Sequence, residues 1–271
     1  MQEWGVRGTE PGQFEEPMGP AVDSLGRVYF FDRSTGFIQK FEPSGTPLLT
    51  FEDPAARLAN AIAVDYGGAI YIANAHAGVM QLFFPQGERL RSMRIAPQRH
   101  FEGPYSFTID PDGKIYVPDP TGARVQVFSS RGLLLKTWRI VPGDGHESAQ
   151  PFAVVSDKDG LLYVGDASGG RILKLTGDGQ VSAFIRSEGG DADHLLSLAT
   201  AGKHIFALRG FPLRLEVWNE DGNLELTDTL ENRLSAVKSA ACLAANGAGD
   251  LIVLDPEARR VLRFRVHLDL R

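Results

Sequence analysis

The chain has 271 residues, 43% of them apolar, and its 28 basic and 34 acidic side chains give a formal net charge of −6. The apolar runs are too short for a transmembrane helix. The acidic balance argues against a general nucleic-acid binder, whose affinity depends on neutralising phosphates. The single cysteine, Cys242, excludes an internal disulfide, and its apolar surroundings predict a buried structural thiol rather than a nucleophile.

A short apolar run centred on an aromatic or aliphatic residue recurs along the chain. It follows a glycine and ends at an acid or an amide in segments 26–32, 68–74 and 113–119. Its central positions lie 42 to 47 residues apart: Tyr29, Tyr71, Tyr116, Tyr163, Phe206 and Ile252. Repetition at a period of this size indicates a repeat architecture in which each unit is one supersecondary structure.

Each unit contains three further runs. One precedes the central run and ends near an acid, as in 20–23 and 107–110, and two follow it, as in 125–128 and 134–140. Runs of this length, rich in Val, Ile, Tyr and Phe and bounded by Gly, Asp and Pro, are typical of strands. Four antiparallel strands in about 45 residues form a propeller blade. The sequence therefore predicts a single all-β domain over residues 1–271, a six-bladed β-propeller of four-stranded antiparallel blades.

The chain ends predict how the ring closes. Trp4 occupies the position of Trp138, at the end of a fourth strand, whereas the last unit reaches only its third strand before the chain ends. We therefore expect residues 2–6 to supply the fourth strand of blade six. In the alternative, residues 267–270 supply that strand and the N-terminal strand stays outside the sheet.

The repeated pattern Gly-x-φ-Tyr-φ-x-Asp, followed by φ-Gln-φ-Phe and a glycine turn, resembles the NHL repeat. The connectors 12–17 and 101–104 are similar to that pattern too, and the resemblance covers nearly the whole chain, most strongly in the first four units. It implies a six-bladed propeller, but such propellers include lyases, RNA binders, sensors and protein-binding platforms. Bacterial propellers of this kind are often exported, and an exported protein would have lost its signal segment.

The connections between strands predict where a ligand binds. In a four-stranded antiparallel blade, the first and third connections share one face of the disc, the short-turn face. The second connections and those between blades share the other, the long-loop face, which includes 52–59, 96–104, 141–150, 186–193 and 231–238. Since binding residues concentrate on long loops, we expect the site on the long-loop face, around the channel mouth.

Function is expected where the blades differ. The repeated aspartates, such as Asp23 and Asp65, are expected to cap turns. The favoured interpretation is a non-catalytic, monomeric scaffold that needs no cofactor and binds a protein or peptide partner through aromatic and cationic side chains. The candidate contact residues are Asn74, His76, Tyr105, Phe152, His194, Arg209 and Phe211. Alternatively, Tyr105 and Phe152 plug the channel.

A metal-dependent enzyme is the alternative function. A lactonase-like hydrolase would hold one divalent cation, such as calcium or zinc, through Glu16, Asn60 and Glu102. An amidating-lyase-like enzyme would need histidines just before the inner strands, and the residues there are Met18, Asn60, Tyr105, Phe152, Leu195 and Ala241. RNA binding through the arginines of 89–94 is disfavoured because the chain is acidic overall.

Overall fold

The computed structural model describes residues 2–95, 106–142, 148–187, 194–210, 213–229 and 242–266. In these residues the chain forms 24 strands and one short 3₁₀ helix, Pro54–Leu58, and the strands make six four-stranded antiparallel sheets arranged in a ring. The predicted six-bladed all-β propeller is confirmed. The described part of the chain has no helix that is long and apolar enough to cross a membrane.

The first three blades each use four consecutive strands. Blade one consists of β2 (Pro17–Val22), β3 (Val28–Asp32), β4 (Phe37–Phe41) and β5 (Pro47–Glu52). Blade two consists of β6 (Ala61–Val64), β7 (Ile70–Asn74), β8 (Val79–Phe83) and β9 (Arg89–Arg94). Blade three consists of β10 (Thr108–Ile109), β11 (Ile115–Asp119), β12 (Arg124–Phe128) and β13 (Leu134–Arg139).

The last three blades include the one that closes the ring. Blade four consists of β14 (Pro151–Ser156), β15 (Leu162–Asp166), β16 (Arg171–Leu175) and β17 (Val181–Ile185). Blade five consists of β18 (Leu195–Ala201), β19 (His204–Arg209), β20 (Arg214–Asn219) and β21 (Leu224–Thr229). Blade six consists of β22 (Cys242–Ala245), β23 (Asp250–Asp255), β24 (Arg260–Arg265) and the N-terminal β1 (Gln2–Trp4).

The N-terminal strand closes blade six, as predicted. β1 pairs antiparallel with β24, so that Gln2 lies opposite Arg263 and Trp4 lies opposite Val261. This pairing joins the two ends of the chain without a covalent bond and covers the outer edge of β24. The alternative closing strand, residues 267–270, lies outside the described residues.

The core lies between neighbouring blades rather than within any one of them. Every residue of β3, β11 and β15 is buried, because a blade in the ring is covered on both faces. Tyr71 and Leu82 of blade two, for example, pack in one cluster with Ile115 and Phe128 of blade three. A lone blade would leave both apolar faces in water, so the ring is the unit that makes each sheet stable.

The repeated aspartate and tyrosine form a staple inside each of the first three blades. Asp23 accepts hydrogen bonds from the N–H groups of Leu25 and Arg27 at 3.0 and 2.9 Å, and from the Tyr29 hydroxyl at 2.8 Å. The Asp65–Tyr71 and Asp110–Tyr116 pairs repeat the hydroxyl bond at 3.1 and 2.9 Å. The aspartates therefore cap the turns, as predicted from their recurrence.

Four buried tyrosines make the stability of the fold depend on alkaline pH. Burial raises the pKa of Tyr29, Tyr71, Tyr116 and Tyr163 above the usual value near 10. A raised pKa in the folded state contributes stability that is complete below about pH 10 and is lost as pH rises further, because the unfolded tyrosines ionise first. We expect absorbance at 295 nm to show these four phenols still protonated in the folded protein at about pH 11, while the free energy of unfolding falls.

The urea-unfolded chain is the control for this titration, and its six tyrosines should ionise together near pH 10. Ionisation of these four buried phenols near pH 10, with the far-UV circular dichroism unchanged, would contradict the expectation.

Candidate binding site in the central channel

Six inner strands line the central channel, one from each blade. β2, β6, β10, β14, β18 and β22 each lie at the edge of their sheet, so one side of each backbone has no partner within that sheet. Some of these groups bond across blades, as when the Val154 N–H donates to the Ser106 carbonyl at 2.9 Å. Small side chains, including Ala21, Ala63 and Ala199, line the wide part of the channel.

The two ends of the channel differ in width. The end on the long-loop face narrows to a pocket of about 30 Å³ among Met18, Asn60, Phe152, Leu196 and Cys242. The end on the short-turn face is a cavity of about 380 Å³, formed where the inner strands end and the first turns begin. In the described part of the chain, the space for a ligand thus lies opposite the face expected from loop length.

Cys242 belongs to the narrow end. Burial raises the pKa of its thiol to about 12, against the weaker opposing effect of a hydrogen bond with the Gly19 backbone. The sulfur is therefore a protonated thiol at neutral pH rather than a thiolate nucleophile. This agrees with the structural role predicted from its apolar neighbours.

On the rim of the wide cavity, the residue directly after the cap of the first turn differs from blade to blade. Ser24, Tyr66, Lys158 and Gly247 each follow the residue that caps the first turn of their blade. Tyr66 is an aromatic on this rim with 57% of its surface exposed. Partial burial, together with the charges of Asp110 and Asp157, raises the pKa of its hydroxyl. The Asp110 and Asp157 carboxylates, in blades three and four, therefore lie near enough to the Tyr66 hydroxyl to affect its ionisation.

The wall below the rim offers many hydrogen-bonding groups. The Thr200 hydroxyl donates to the Ser156 carbonyl at 2.6 Å, and the hydroxyl oxygens of Thr108 and Ser156 lie 3.4 Å apart. The cap of blade four, Asp157, is also part of the wall, and burial raises its pKa. Its Oδ1 accepts the N–H groups of Asp159 and Leu161, both at 2.9 Å. The mouth therefore combines hydrogen-bonding groups and a carboxylate with small apolar side chains such as Ala63 and Ala199.

The predicted contact residues do not form one cluster. His76 and His194 are exposed on the long-loop face. The Asn74 side chain accepts the Ala77 N–H at 2.9 Å and so shapes its own loop. Arg209 is 0% exposed, so its side chain offers no surface to a partner, and Phe152, which is 4% exposed, lines the narrow end of the channel, as expected of a residue that plugs it. The remaining two candidates, Tyr105 and Phe211, lie outside the described residues.

Glu16 and Asn60, the two predicted metal ligands that the structure describes, contact other groups of the protein. Glu16 extends into solvent, and one of its oxygens lies 3.9 Å from an Arg33 nitrogen. The side-chain oxygen of Asn60, Oδ1, accepts the Ala75 N–H at 3.0 Å. Glu102 lies outside the described residues. In the described ranges, no three His, Cys, Asp or Glu side chains are grouped so that they would hold a metal ion.

Blade five contains a buried ion cluster at the position where three other blades have an aspartate–arginine pair. In blades three, four and six, an aspartate at the end of the second strand pairs with an arginine that begins the third strand: Asp119–Arg124, Asp166–Arg171 and Asp255–Arg260. Blade five has the opposite charge at the first position, Arg209, whose Nε donates to Glu216 at 2.6 Å. Its Nη1 donates to the carbonyl of Gly170 in blade four, also at 2.6 Å, and so ties the two blades together.

Glu216 is the centre of this cluster. It accepts from Arg214 Nε at 3.1 Å, from the Ser187 hydroxyl at 2.7 Å and from Trp218 Nε1 at 3.2 Å, besides Arg209. Burial opposes its ionisation, but the two arginines and the serine outweigh burial and hold its pKa below the usual value. The cluster is therefore a buried carboxylate stabilised by arginines on both of its oxygens.

Sequence reasoning missed the cavity rim because it compared loop lengths rather than turn residues. The signal was present in the repeat itself. The capped first turns follow a common pattern of a cap, two turn residues and a glycine, and Tyr66 is an aromatic directly after a cap. A comparison of this position between blades would have identified Tyr66 as a departure on the short-turn face.

No known family model matches the chain, and no curated protein does. Among solved structures, a streptogramin B lyase has a TM-score of 0.67 and 14% identity, over 99% of this chain and 88% of that chain. A catalytically inactive virginiamycin B lyase from Staphylococcus aureus, solved with quinupristin, has a TM-score of 0.67 and 13% identity, over 99% and 89%. The β-propeller domain of Cps50 (Swd1) from Myceliophteria thermophila has a TM-score of 0.68 and 10% identity, over 94% and 97%.

These likenesses show the fold alone, because the identities are too low to transfer an activity. The fold is shared by enzymes and by other propeller domains, so the function has to be argued from the site. By its strands, its sheets and its structural relatives, the chain is a six-bladed β-propeller.

Proposed function

We propose that this protein is a non-catalytic binding module of the NHL type. It takes a segment of a protein or peptide partner into the short-turn mouth of its central channel. The observation that carries the proposal is the shape of the channel, a cavity of about 380 Å³ at this mouth and about 30 Å³ at the other end. The larger volume lies within the range of roughly 300–1,000 Å³ typical of ligand pockets.

A peptide segment fits the chemistry of the wall. The free edges of the inner strands present backbone donors and acceptors, which a peptide backbone can complement. The hydroxyls of Thr108, Ser156 and Thr200 add further hydrogen-bonding groups, and alanines leave room for an entering side chain. Tyr66 on the rim supplies an exposed aromatic ring of the kind that dominates many protein interfaces.

The carboxylates of the mouth support binding rather than catalysis. Asp23, Asp65, Asp110 and Asp157 each accept backbone N–H groups of their own turn. A carboxylate held in the same way by four blades is explained by turn closure, whereas a general acid or base would be expected in one blade only. The metal-dependent hydrolase or lyase is the function that competes with this proposal.

A peptide library with no prior bias tests the proposal. A disulfide-constrained heptapeptide phage library would be panned against the immobilised protein, and an enriched peptide would be synthesised and titrated into isotope-labelled protein. We expect the amide signals of Tyr66, Lys158 and Thr200 to shift. Shifts confined to Asn74, His76 and His194 would instead place binding on the long-loop face. A stoichiometric divalent metal retained after supplementation, together with lactone hydrolysis, would favour the enzyme.

A further inference from the structure

The outer edge of blade three exposes three consecutive leucines. Leu133, in the turn before β13, is 67% exposed, and Leu134 and Leu135 at the start of β13 are 47% and 46% exposed. β13 is the outermost strand of its sheet, so one side of its backbone has no partner within the sheet. An edge strand that combines free backbone groups with exposed apolar side chains is a template for another strand.

β9, β17 and β21 have charged side chains next to their exposed apolar ones, whereas in β13 the charges of Lys136 and Arg139 follow three consecutive exposed leucines. β9 alternates arginines with its exposed Leu90, and β21 carries Glu225 and Asp228. In β17 the exposed Phe184 is covered by the Arg186 guanidinium, which lies 5.0 Å from the ring centre. Charged side chains of this kind deter edge pairing in natural sheets.

The segment that contains β13 carries charge of one sign, although Asp178 of blade four lies close enough to Lys136 for the two charges to interact. Residues 120–142 contain four basic side chains and no acidic one, although the whole chain has a net charge of −6. Arg124 is paired with Asp119, but Arg131, Lys136 and Arg139 form no ion pair with any residue that the structure describes. A segment that pairs with this edge would therefore gain from acidic side chains opposite Lys136 and Arg139.

We propose that β13 is a docking edge for an extended segment of a partner protein in which two acidic residues, three positions apart, stand among apolar ones. The segment adds a fifth strand to blade three by backbone hydrogen bonds to the free side of β13. Its apolar side chains cover Leu134 and Leu135, and its acidic side chains face Lys136 and Arg139. This surface lies on the rim of the disc, so it is separate from the channel mouth.

A second copy of the chain is a poorer occupant of this edge. Antiparallel pairing of β13 with itself would bring Lys136 and Arg139 of both copies together, and that stretch has no acid to offset them. Like charges on paired strands are destabilising. The same lysine and arginine that reject a second copy select an acidic partner, which is how natural edges combine attraction with specificity.

A capped octapeptide of Val residues with Glu at its third and sixth positions is the probe. Titrated into the isotope-labelled full chain at low salt, it should shift the amide signals of 133–139. The variant Lys136→Glu/Arg139→Glu should weaken binding about tenfold or more, because two attractive contacts become repulsive. The variant Leu134→Thr/Leu135→Thr should weaken it about fivefold while keeping strand propensity.

Matched controls separate docking from general charge attraction. Arg94→Glu on β9 and Leu48→Thr on β5 change an exposed arginine and an exposed leucine elsewhere and should leave the affinity unchanged. A peptide N-methylated at alternate residues, which cannot donate along one edge, should bind about tenfold more weakly. The proposal is overturned by absence of binding at millimolar peptide, by equal binding of the methylated peptide, or by a dimer that Leu134→Thr/Leu135→Thr dissolves.

Discussion

Replacing Glu216 with alanine is expected to lower the free energy of unfolding by about 3–5 kcal/mol, because it removes the carboxylate at the centre of a buried ion cluster. Arg209, which is 0% exposed, would then lose the acceptor that its Nε contacts at 2.6 Å. Urea unfolding followed by circular dichroism measures the change. Glu216 does not line the wide cavity that the described residues form, so binding of a selected peptide at the mouth should be retained.

An exposed ion pair serves as the control for this result. Glu52 contacts Arg57 at 3.1 Å with both side chains largely in solvent, and Glu52→Ala should cost less than about 1 kcal/mol. Equal losses of unfolding free energy for the two variants would show that the buried cluster stabilises the fold no more than an exposed ion pair does.

A double variant that rearranges the charges tests whether paired charges stabilise the cluster. The double variant Arg209→Asp/Glu216→Gln recreates in blade five the arrangement of blade three, where Asp119 pairs with Arg124 beside Gln126. Arg214 already occupies the position of Arg124. We expect the double variant to be more stable than either single variant, which a double-mutant cycle would report as a favourable coupling. Additive losses would mean that the cluster acts through packing rather than through paired charges.

Filling the channel mouth should abolish the proposed peptide binding. Gly247 lies on the rim, and a Cβ built on it meets no atom within 4 Å, so Gly247→Trp places an indole at the mouth without a backbone clash. We expect the affinity for a peptide selected on the wild type to fall by about 100-fold or more, since the ring competes for the same space. Fluorescence anisotropy with the labelled peptide measures the loss.

Gly177 offers a matched control for the plugging variant. A Cβ at Gly177 also meets no atom within 4 Å, and the residue lies in the last turn of blade four, on the same face of the disc but outside the cavity. Gly177→Trp should bind like the wild type, and both variants should unfold at the same urea concentration. Unchanged binding by Gly247→Trp would refute the channel as the binding site.

The fold was predictable because its signals are local and repeated. A strand of β3 type is recognisable within seven residues, and its copies at 42 to 47 residue intervals fix the number of blades. The Asp23 staple spans only residues 23–29, so the same few residues that form it also reveal it. The closure by β1 followed from a missing fourth strand at one end of the chain and an extra one at the other.

The sequence by itself thus determined the strands, the six blades, the closure of the ring and the structural role of the repeated aspartates. Only the tertiary structure decided which end of the channel is wide, because that width depends on side chains from six blades whose positions are set by the ring as a whole. It also showed that Arg209 is buried, although its place at the corner of a loop had suggested an exposed contact residue. Its acceptor in blade four, the Gly170 carbonyl, is 39 residues away in the chain, and no local pattern reports a contact at that separation.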